Sequence, residues 1–196
     1  MKHNFPHTAA RPLSWSAISS FAYDPEQWFE KYVMGKVEKP NKEMIFGKMV
    51  GEKLASDPTY LPEVPRLGTY EKELRVMFNK IPLIGFLDNS DEIEKLDHQE
   101  FKTGKKPWTQ KRANEHGQIT LYSMLRYITD KIPPEEQHWN LIWLPTCETG
   151  AFEIEFVPDM KPVIFTTKRT MADLLKFGAY IMKTTDEMRK YCANHL

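Results

Sequence analysis

The chain has 196 residues, and its 27 Lys and Arg balance its 27 Asp and Glu, so the formal net charge is zero. This length lies within the range of one folded unit, and we predict a single domain over residues 1–196. A neutral balance excludes a generally basic surface for nucleic acid, so any polyanion must be bound by a local patch.

Cysteine content and hydropathy limit the cellular setting. The two cysteines, Cys147 and Cys192, are too few for a disulfide scaffold or an all-cysteine metal site. A reducing, cytoplasmic location fits this count. The N-terminus has no apolar run of signal-peptide length, and no run elsewhere approaches the roughly 20 residues of a membrane helix. We therefore expect no membrane association.

Two helices are predicted near the N-terminus. Ser14 or Ser16 can accept hydrogen bonds from the first free N–H groups of one helix. Asp24-Pro25-Glu26 begins the next, with proline at the first helical position, and Gly35 is expected to end it. The aromatic residues of this second helix favour core packing over base stacking.

A third helix is predicted over residues 44–55, and it contains two glycines. Glycine inside a helix costs about 1 kcal/mol relative to alanine. Gly47 and Gly51 therefore indicate that another element packs close to the backbone at both positions. Contact between this helix and a sheet is the simplest explanation.

The sequence period changes at Tyr70. Alternating polar and apolar residues over 70–78 predict a strand. Asn79-Lys80 predicts a tight turn, and further strands are predicted over 81–88 and 93–103. Together these three strands predict an antiparallel meander.

The C-terminal half alternates between helical and extended patterns. The predicted elements are a helix over 112–130, strands over 138–144, 152–156 and 163–166 with a hairpin turn at 148–150, and a helix over 170–193. The whole pattern predicts an α/β fold with a mixed central sheet flanked by helices.

The chemistry is concentrated in the predicted meander. In a strand, Glu100 and Lys102 share one face while Phe101 points to the other. The turn between the strands can bring Asp88 beside Glu100, and two such acids repel unless a cation lies between them. Mg²⁺ is commonly held by one or two carboxylates. Taken alone, however, Asp88 could be a turn residue, and the Glu100 and Lys102 pair a surface ion pair worth about 0–1 kcal/mol.

Four motifs in this order resemble one enzyme superfamily. They are Ser14 to Pro25, the Gly85-Phe86-Leu87-Asp88 strand, the Glu100-Phe101-Lys102-Thr103-Gly104 strand, and Gln118 with Tyr122 on one helix face. The set resembles the PD-(D/E)XK nucleases, and within them the RecB-like exonuclease group, with its G-x-x-D, D/E-x-K-T-G and Q-x-x-x-Y motifs. The resemblance implies a restriction-endonuclease-like core.

The resemblance also implies roles for the strand residues. Asp88 and Glu100 would bind Mg²⁺ or Mn²⁺, with the main-chain carbonyl of Phe101 as a further ligand. Lys102 would position or help deprotonate the attacking water. The reaction would be in-line hydrolysis of a phosphodiester without a covalent intermediate, in which the metal lowers the pKa of its water.

The helix residues and the biological setting follow from the same resemblance. Gln118 and Tyr122 would steady the lysine and the scissile phosphate. The expected activity is a DNA exonuclease of a repair, recombination, phage or mobile-element system. Two alternatives stay open: a nuclease-fold subunit for DNA binding or assembly that has lost a metal ligand, and an unrelated metal-dependent phosphohydrolase acting on small molecules.

Two positions depart from the family pattern. RecB-like members usually carry a metal-binding histidine where this chain has Gly51. The neighbouring Glu52 is a hypothetical substitute ligand, and an exposed Glu52 is the alternative, because one residue rotates a helix by roughly 100°. Asp24 stands where iron–sulfur-containing relatives have cysteine, so no such cluster is expected.

A basic run follows the second motif strand. Lys105, Lys106, Lys111 and Arg112 are placed where DNA phosphates would approach, although a solvated loop explains them nearly as well. Trp108 could stack on an unpaired base or pack against the loop. DNA is therefore the expected partner, and the sequence leaves open an oligomer or a recombination partner.

Overall fold

The computed structural model describes residues 5–149 and 153–195. Within these ranges the chain forms six helices and six strands. In chain order they are α1 (Trp15–Tyr23), α2 (Pro25–Tyr32), α3 (Lys42–Ser56), β1 (Thr69–Phe78), β2 (Ile81–Ser90), β3 (Asp97–Gly104), α4 (Gln110–Asn114), α5 (Gly117–Asp130), β4 (His138–Thr149), β5 (Glu153–Phe156), β6 (Val163–Thr167) and α6 (Met171–Asn194).

The strands form one mixed sheet. Its order is β1-β2-β3-β4-β5, and β6 also pairs with β4. Strands β3 and β4 run parallel, and the other neighbours are antiparallel. The parallel step requires a crossover, which α4 and α5 supply. The predicted α/β class and the predicted meander of the first three strands are both confirmed.

Helices cover both faces of the sheet and divide the core in two. Helices α1, α5 and α6 enclose a cluster that includes Leu87 and Leu141, whereas α3 encloses a smaller cluster with Val50 and Ile142. Leu141 and Ile142 fall in different clusters because neighbouring strand residues point to opposite faces. Each fully buried aliphatic side chain contributes about 1.5–3 kcal/mol. Among the described helices, none is long and apolar enough to cross a membrane.

The predicted starts of the first two helices are confirmed. Ser14 caps α1, where its Oγ accepts a hydrogen bond from the Ala17 N–H at 3.3 Å. Asp24 caps α2 and accepts from the N–H groups of Glu26 and Gln27, both at 3.0 Å. Helix α2 ends at Tyr32, slightly before the predicted stop at the glycine.

The helix predicted over 112–130 is wrong in its extent. Two helices, α4 and α5, replace it, and the helical conformation is interrupted between them at Glu115 and His116. Gly117 then begins α5 in direct contact with Trp15, where an added Cβ would lie 2.1 Å from the indole ring. The break lets α5 approach α1 closely.

The predicted hairpin turn at 148–150 is also wrong in part. Glu148 and Thr149 belong to β4, where they pair with Ile154 and Glu153. Gly150 lies outside the described residues, as does the first residue of the strand predicted over 152–156. The remaining strands agree with the prediction within a few residues.

The pH dependence of folding should reveal the buried His7. Its ring lies against Trp28 and Tyr32, and burial, followed by the Arg11 charge, lowers the pKa of His7 to about 4. Between pH 6.5 and 4, His7 is therefore protonated in the unfolded chain and neutral in the folded chain. We expect the free energy of unfolding to fall through this window as pH decreases, by up to about 1.4 kcal/mol per pH unit from this group.

The variant His7→Phe isolates this contribution, because phenylalanine keeps an aromatic ring and cannot titrate. Urea unfolding at several pH values should give a shallower acid loss of stability for His7→Phe than for the wild type. Parallel profiles for the two proteins would contradict the prediction.

Candidate active site

The site lies at a fork between β2 and β3. These strands pair at only two positions, and the pairing ends at Asn89 and Gln99. The same register would next place Asp88 opposite Glu100, but the ladder stops there. The Asp88 Oδ2 atom instead accepts a hydrogen bond from the backbone N–H of Phe101 at 2.7 Å. A carboxylate thus replaces a backbone acceptor and is fixed at the point where the strands separate.

A chain of hydrogen bonds links strand β3 to helix α5. The Lys102 ammonium lies 2.5 Å from Glu100 Oε1 and donates to Gln118 Oε1 at 2.9 Å. Gln118 Nε2 in turn donates to the Tyr122 hydroxyl at 2.8 Å. The structure therefore brings together the predicted strand pair and the predicted helix pair. Phe101 points away into the smaller core cluster, as the strand period requires.

Burial controls the charges of this cluster. Burial raises the pKa of Asp88 well above its usual range, and the nearby Glu100 charge adds to the rise. Burial also raises the pKa of Glu100, and its contact with Lys102 offsets only part of the effect. For Lys102 burial acts to lower the pKa, but the carboxylates of Glu100 and Asp88 outweigh it and the pKa is raised. Two acids thus share one ammonium group.

The donor set fits a hard divalent cation. Glu100 is 1% exposed, and its Oε2 has no hydrogen-bond partner among the described residues. Such a buried oxygen is costly unless something positive approaches it. Mg²⁺ typically takes one or two carboxylates and keeps several waters, which matches the pair of Asp88 and Glu100. In residues 5–149 and 153–195, no group of three or more His, Cys, Asp or Glu is arranged to hold a metal ion.

An open cleft of about 1060 Å³ leads to these groups from α3. At the inner wall an added Cβ on Gly47 would lie 3.2 Å from Thr103 Oγ1, so the close approach predicted from this glycine is confirmed. At Gly51 nothing lies within 4 Å, and the same prediction is wrong there. The second glycine leaves open space on the helix surface.

Glu52 lines the cleft without reaching the acids. Its side chain is 67% exposed and lies 3.7 Å from the Lys48 ammonium. The main charges that shift the pKa of Asp88 and Glu100 are those of Lys102 and of neighbouring acids on the strands. The exposed alternative describes its position, and a role for Glu52 as a metal ligand stays a prediction.

Glu71 is an acidic residue of the cleft that the sequence reasoning missed. It lines the same cleft as Asp88 and Glu100, and its charge raises the pKa of both. The signal was present in the hairpin. A two-residue turn pairs residues equidistant from it, and Glu71 precedes Asn79 by 79 − 71 = 8 positions while Asp88 follows Lys80 by 88 − 80 = 8.

The lysines predicted to bind DNA lie on the surface, in the loop after β3 and on α4. Lys105 is 2.5 Å from the Glu148 carboxylate, which Lys42 also contacts at 2.7 Å. Lys106 is exposed in the loop after β3. Lys111 is strongly exposed on α4, and its only ion-pair contact among the described residues is at 4.0 Å. The structure keeps these ammonium groups accessible to solvent.

Trp108 has a structural position. It is 9% exposed and belongs to the larger core cluster. The Arg112 guanidinium lies over its ring at 3.9 Å, and the His116 ring meets it edge-on at 5.0 Å. A base needs an exposed ring face for stacking. Of the two alternatives for Trp108, the structure favours packing, and it places Arg112 over the indole.

Gly85 is needed for the placement of Tyr122. An added Cβ at Gly85 would lie 2.6 Å from the Tyr122 ring and 2.8 Å from a Leu125 methyl group. We expect Gly85→Ala to destabilise the fold by about 1–3 kcal/mol through overpacking. The matched change Gly51→Ala meets open space in a helix and should stabilise by about 0.5–1 kcal/mol. Denaturant unfolding measures both, and equal effects would contradict the prediction.

Repulsion in the acid pair should be measurable in metal-free protein. Asp88→Asn keeps an oxygen for the Phe101 N–H and leaves Glu100 with Lys102 as a neutral pair. We expect the free energy of unfolding in EDTA to rise by about 1 kcal/mol or more. Glu52→Gln, an exposed neutralisation on the same cleft, should change it little. A lower melting temperature for Asp88→Asn would contradict the expectation.

No protein-family model matches the chain, and no curated protein matches it. Three solved structures are similar along most of its length. A proposed exonuclease from Eubacterium rectale shares 9% identity over 94% of this chain and 82% of that one, with a TM-score of 0.59. LHK-Exo in complex with dAMP shares 13% over 95% and 93%, with a TM-score of 0.58. A phage-related exonuclease from Haemophilus somnus 129PT shares 12% over 90% and 79%, with a TM-score of 0.50. The chain therefore has the fold of these exonuclease structures.

Proposed function

We propose that this chain is a metal-dependent DNA exonuclease of the RecB-like group of PD-(D/E)XK nucleases. The observation that carries the proposal is the cluster of buried Glu100 with half-buried Asp88 and Lys102 in an open cleft. The fold shared with exonuclease structures supports it, and one of those was determined with dAMP, a DNA nucleotide. The motif order supplies the assignment to the group.

Asp88, Glu100 and the Phe101 carbonyl would hold the cation, and Mg²⁺ or Mn²⁺ would lower the pKa of a bound water and offset charge on the phosphate. Lys102 is raised in pKa and therefore protonated, so it acts as a hydrogen-bond donor that orients the water and the phosphate oxygens. Its contacts with Glu100 and Gln118 fix the ammonium group in place before substrate arrives.

Tyr122 keeps Gln118 in position. Burial raises the pKa of Tyr122, so its phenol stays neutral and accepts the hydrogen bond from Gln118. The amide oxygen of Gln118 is thereby directed at Lys102. The lysine is held from two sides, by a strand carboxylate and a helix amide. This preorganisation is what positions a donor near developing charge.

The surroundings favour a polymer over a small molecule. The cleft is open, and exposed lysines lie beside the strand that carries the cluster. The ion pair between Lys105 and Glu148 is exposed and therefore screened by solvent, so a DNA phosphate can replace the glutamate at little cost. Lys106 and Lys111 can contribute the same kind of contact.

One observation favours a second candidate, a DNA-binding or assembly subunit without catalysis. Helix α3 has Gly51 at the expected ligand position, and its neighbour Glu52 is exposed and paired with Lys48. If no other residue completes the metal centre, the cleft binds DNA without cleaving it. Cleavage assays separate the two candidates.

Cleavage of linear and circular, single- and double-stranded DNA with Mg²⁺ or Mn²⁺ tests the proposal. We expect the wild type to degrade linear DNA and to spare closed circles. Lys102→Ala and Asp88→Asn should each lower the rate by about 100-fold or more, because each removes a group that acts on the reacting phosphate. Lys106→Ala should mainly weaken DNA binding and reduce its salt dependence.

The outcomes discriminate between the candidates. Equal rates for the wild type and Lys102→Ala would remove the catalytic assignment. Binding without cleavage under every condition would favour the subunit. Asp88→Asn guards against a folding artefact, since it is expected to be more stable than the wild type without metal.

A further inference from the structure

The β1 and β2 ladder is interrupted at one position, opposite Asp88. The residue pairs on either side, at Tyr70 and Lys72, are intact. Glu71 lies between them with φ of 51°, a left-handed backbone conformation that a non-glycine residue rarely adopts. The hairpin therefore departs from regular pleating where it meets the candidate site. Such departures concentrate at functional positions when the surrounding structure holds them in place.

The charge of Glu71 has no internal partner. Glu71 is exposed at the mouth of the cleft, and among the described residues its carboxylate forms neither an ion pair nor a hydrogen bond, whereas Glu73 on the same strand pairs with Arg75 at 2.5 Å. Glu71 lines the same cleft as Asp88 and Glu100. Three acids thus line one cleft, in which the Lys102 ammonium is bonded to Glu100.

The buried Oε2 of Glu100 is a second, independent sign of a cation. Lys102 satisfies only the other oxygen of that carboxylate, and Glu100 is almost completely removed from solvent. The oxygen is on the group next to Asp88, at the fork. A cation at this point would bind the unpaired Oε2 atom of Glu100. It would also reduce the repulsion among the carboxylates of Glu71, Asp88 and Glu100.

We propose that Glu71 is the third carboxylate of the metal centre and acts through a metal-bound water. The inference rests on the proposed nuclease function, since it concerns the same cation. A water-mediated role fits because the described residues contain no preformed three-residue chelate. Mg²⁺ retains several waters, and their hydrogens need acceptors such as a carboxylate. Glu71 is therefore a positioning residue.

Mn²⁺ binding without DNA tests the role directly. The dissociation constant can be measured by electron paramagnetic resonance of free Mn²⁺ for the wild type and for Glu71→Gln, Glu73→Gln and Glu52→Gln. We expect Glu71→Gln to weaken binding about 10-fold, as loss of an outer-shell partner does. Glu73→Gln, a matched change two residues along the strand, should stay within about twofold of the wild type. Glu52→Gln should do the same. Glu71→Asp should recover part of the affinity.

Glu71→Gly separates metal binding from folding. Glycine adopts positive φ without strain, so this variant should melt at or above the temperature of the wild type while its Mn²⁺ affinity falls. Glu71→Gln and Glu71→Gly that both bind Mn²⁺ like the wild type would overturn the inference and leave the nuclease proposal intact. A wild type that binds no Mn²⁺ would overturn both. Loss of affinity in Glu52→Gln but not in Glu71→Gln would transfer the role to helix α3.

Discussion

One hydrogen bond, from the Phe101 N–H to the Asp88 carboxylate, determines how this sheet becomes a site. It occupies the position of the next ladder bond between β2 and β3, so the strands can separate without an unsatisfied buried N–H. The separation admits Asp88 to the interior beside Glu100. A regular ladder would have continued the pairing of β2 and β3 past Asn89 and Gln99 and closed the fork.

Side chains of helix α5 connect the fork to the rest of the fold. Buried Arg126 on α5 pairs with Glu92 in the loop after β2 and with Asp130 at 2.8 Å. This links the crossover helix to the strand connection, while Gln118 and Tyr122 on the same helix reach the site. The hydrogen bonds around the acids fix their geometry. Functional groups held by a second layer of contacts keep their positions when substrate is absent.

Sequence periodicity was sufficient where the deciding contacts are local. Strand parity predicted that Glu100 and Lys102 share a face, and helical spacing paired Gln118 with Tyr122. The break before Gly117 was not predictable in this way, because it depends on Trp15 from a distant part of the chain. The burial of Trp108 has the same origin, since its neighbours come from the crossover and the core. The periodicity of the sequence predicts which side chains share a face of a helix or strand. Contacts with distant parts of the chain determine which of those faces is buried.

The difference between Glu52 and Glu71 shows what register adds to such patterns. On a helix, a shift of one residue turns a side chain by roughly 100°, which carries Glu52 away from the acids that a ligand one position earlier would face. In a hairpin, the two-residue turn fixes the register, and the intact pairs at Tyr70 and Lys72 leave Glu71 at the interrupted position opposite Asp88. A cation requires negative oxygen at the right distance and is indifferent to the element that carries it. Strand β1 therefore offers a carboxylate at a position that the hairpin register determines, independently of helix α3.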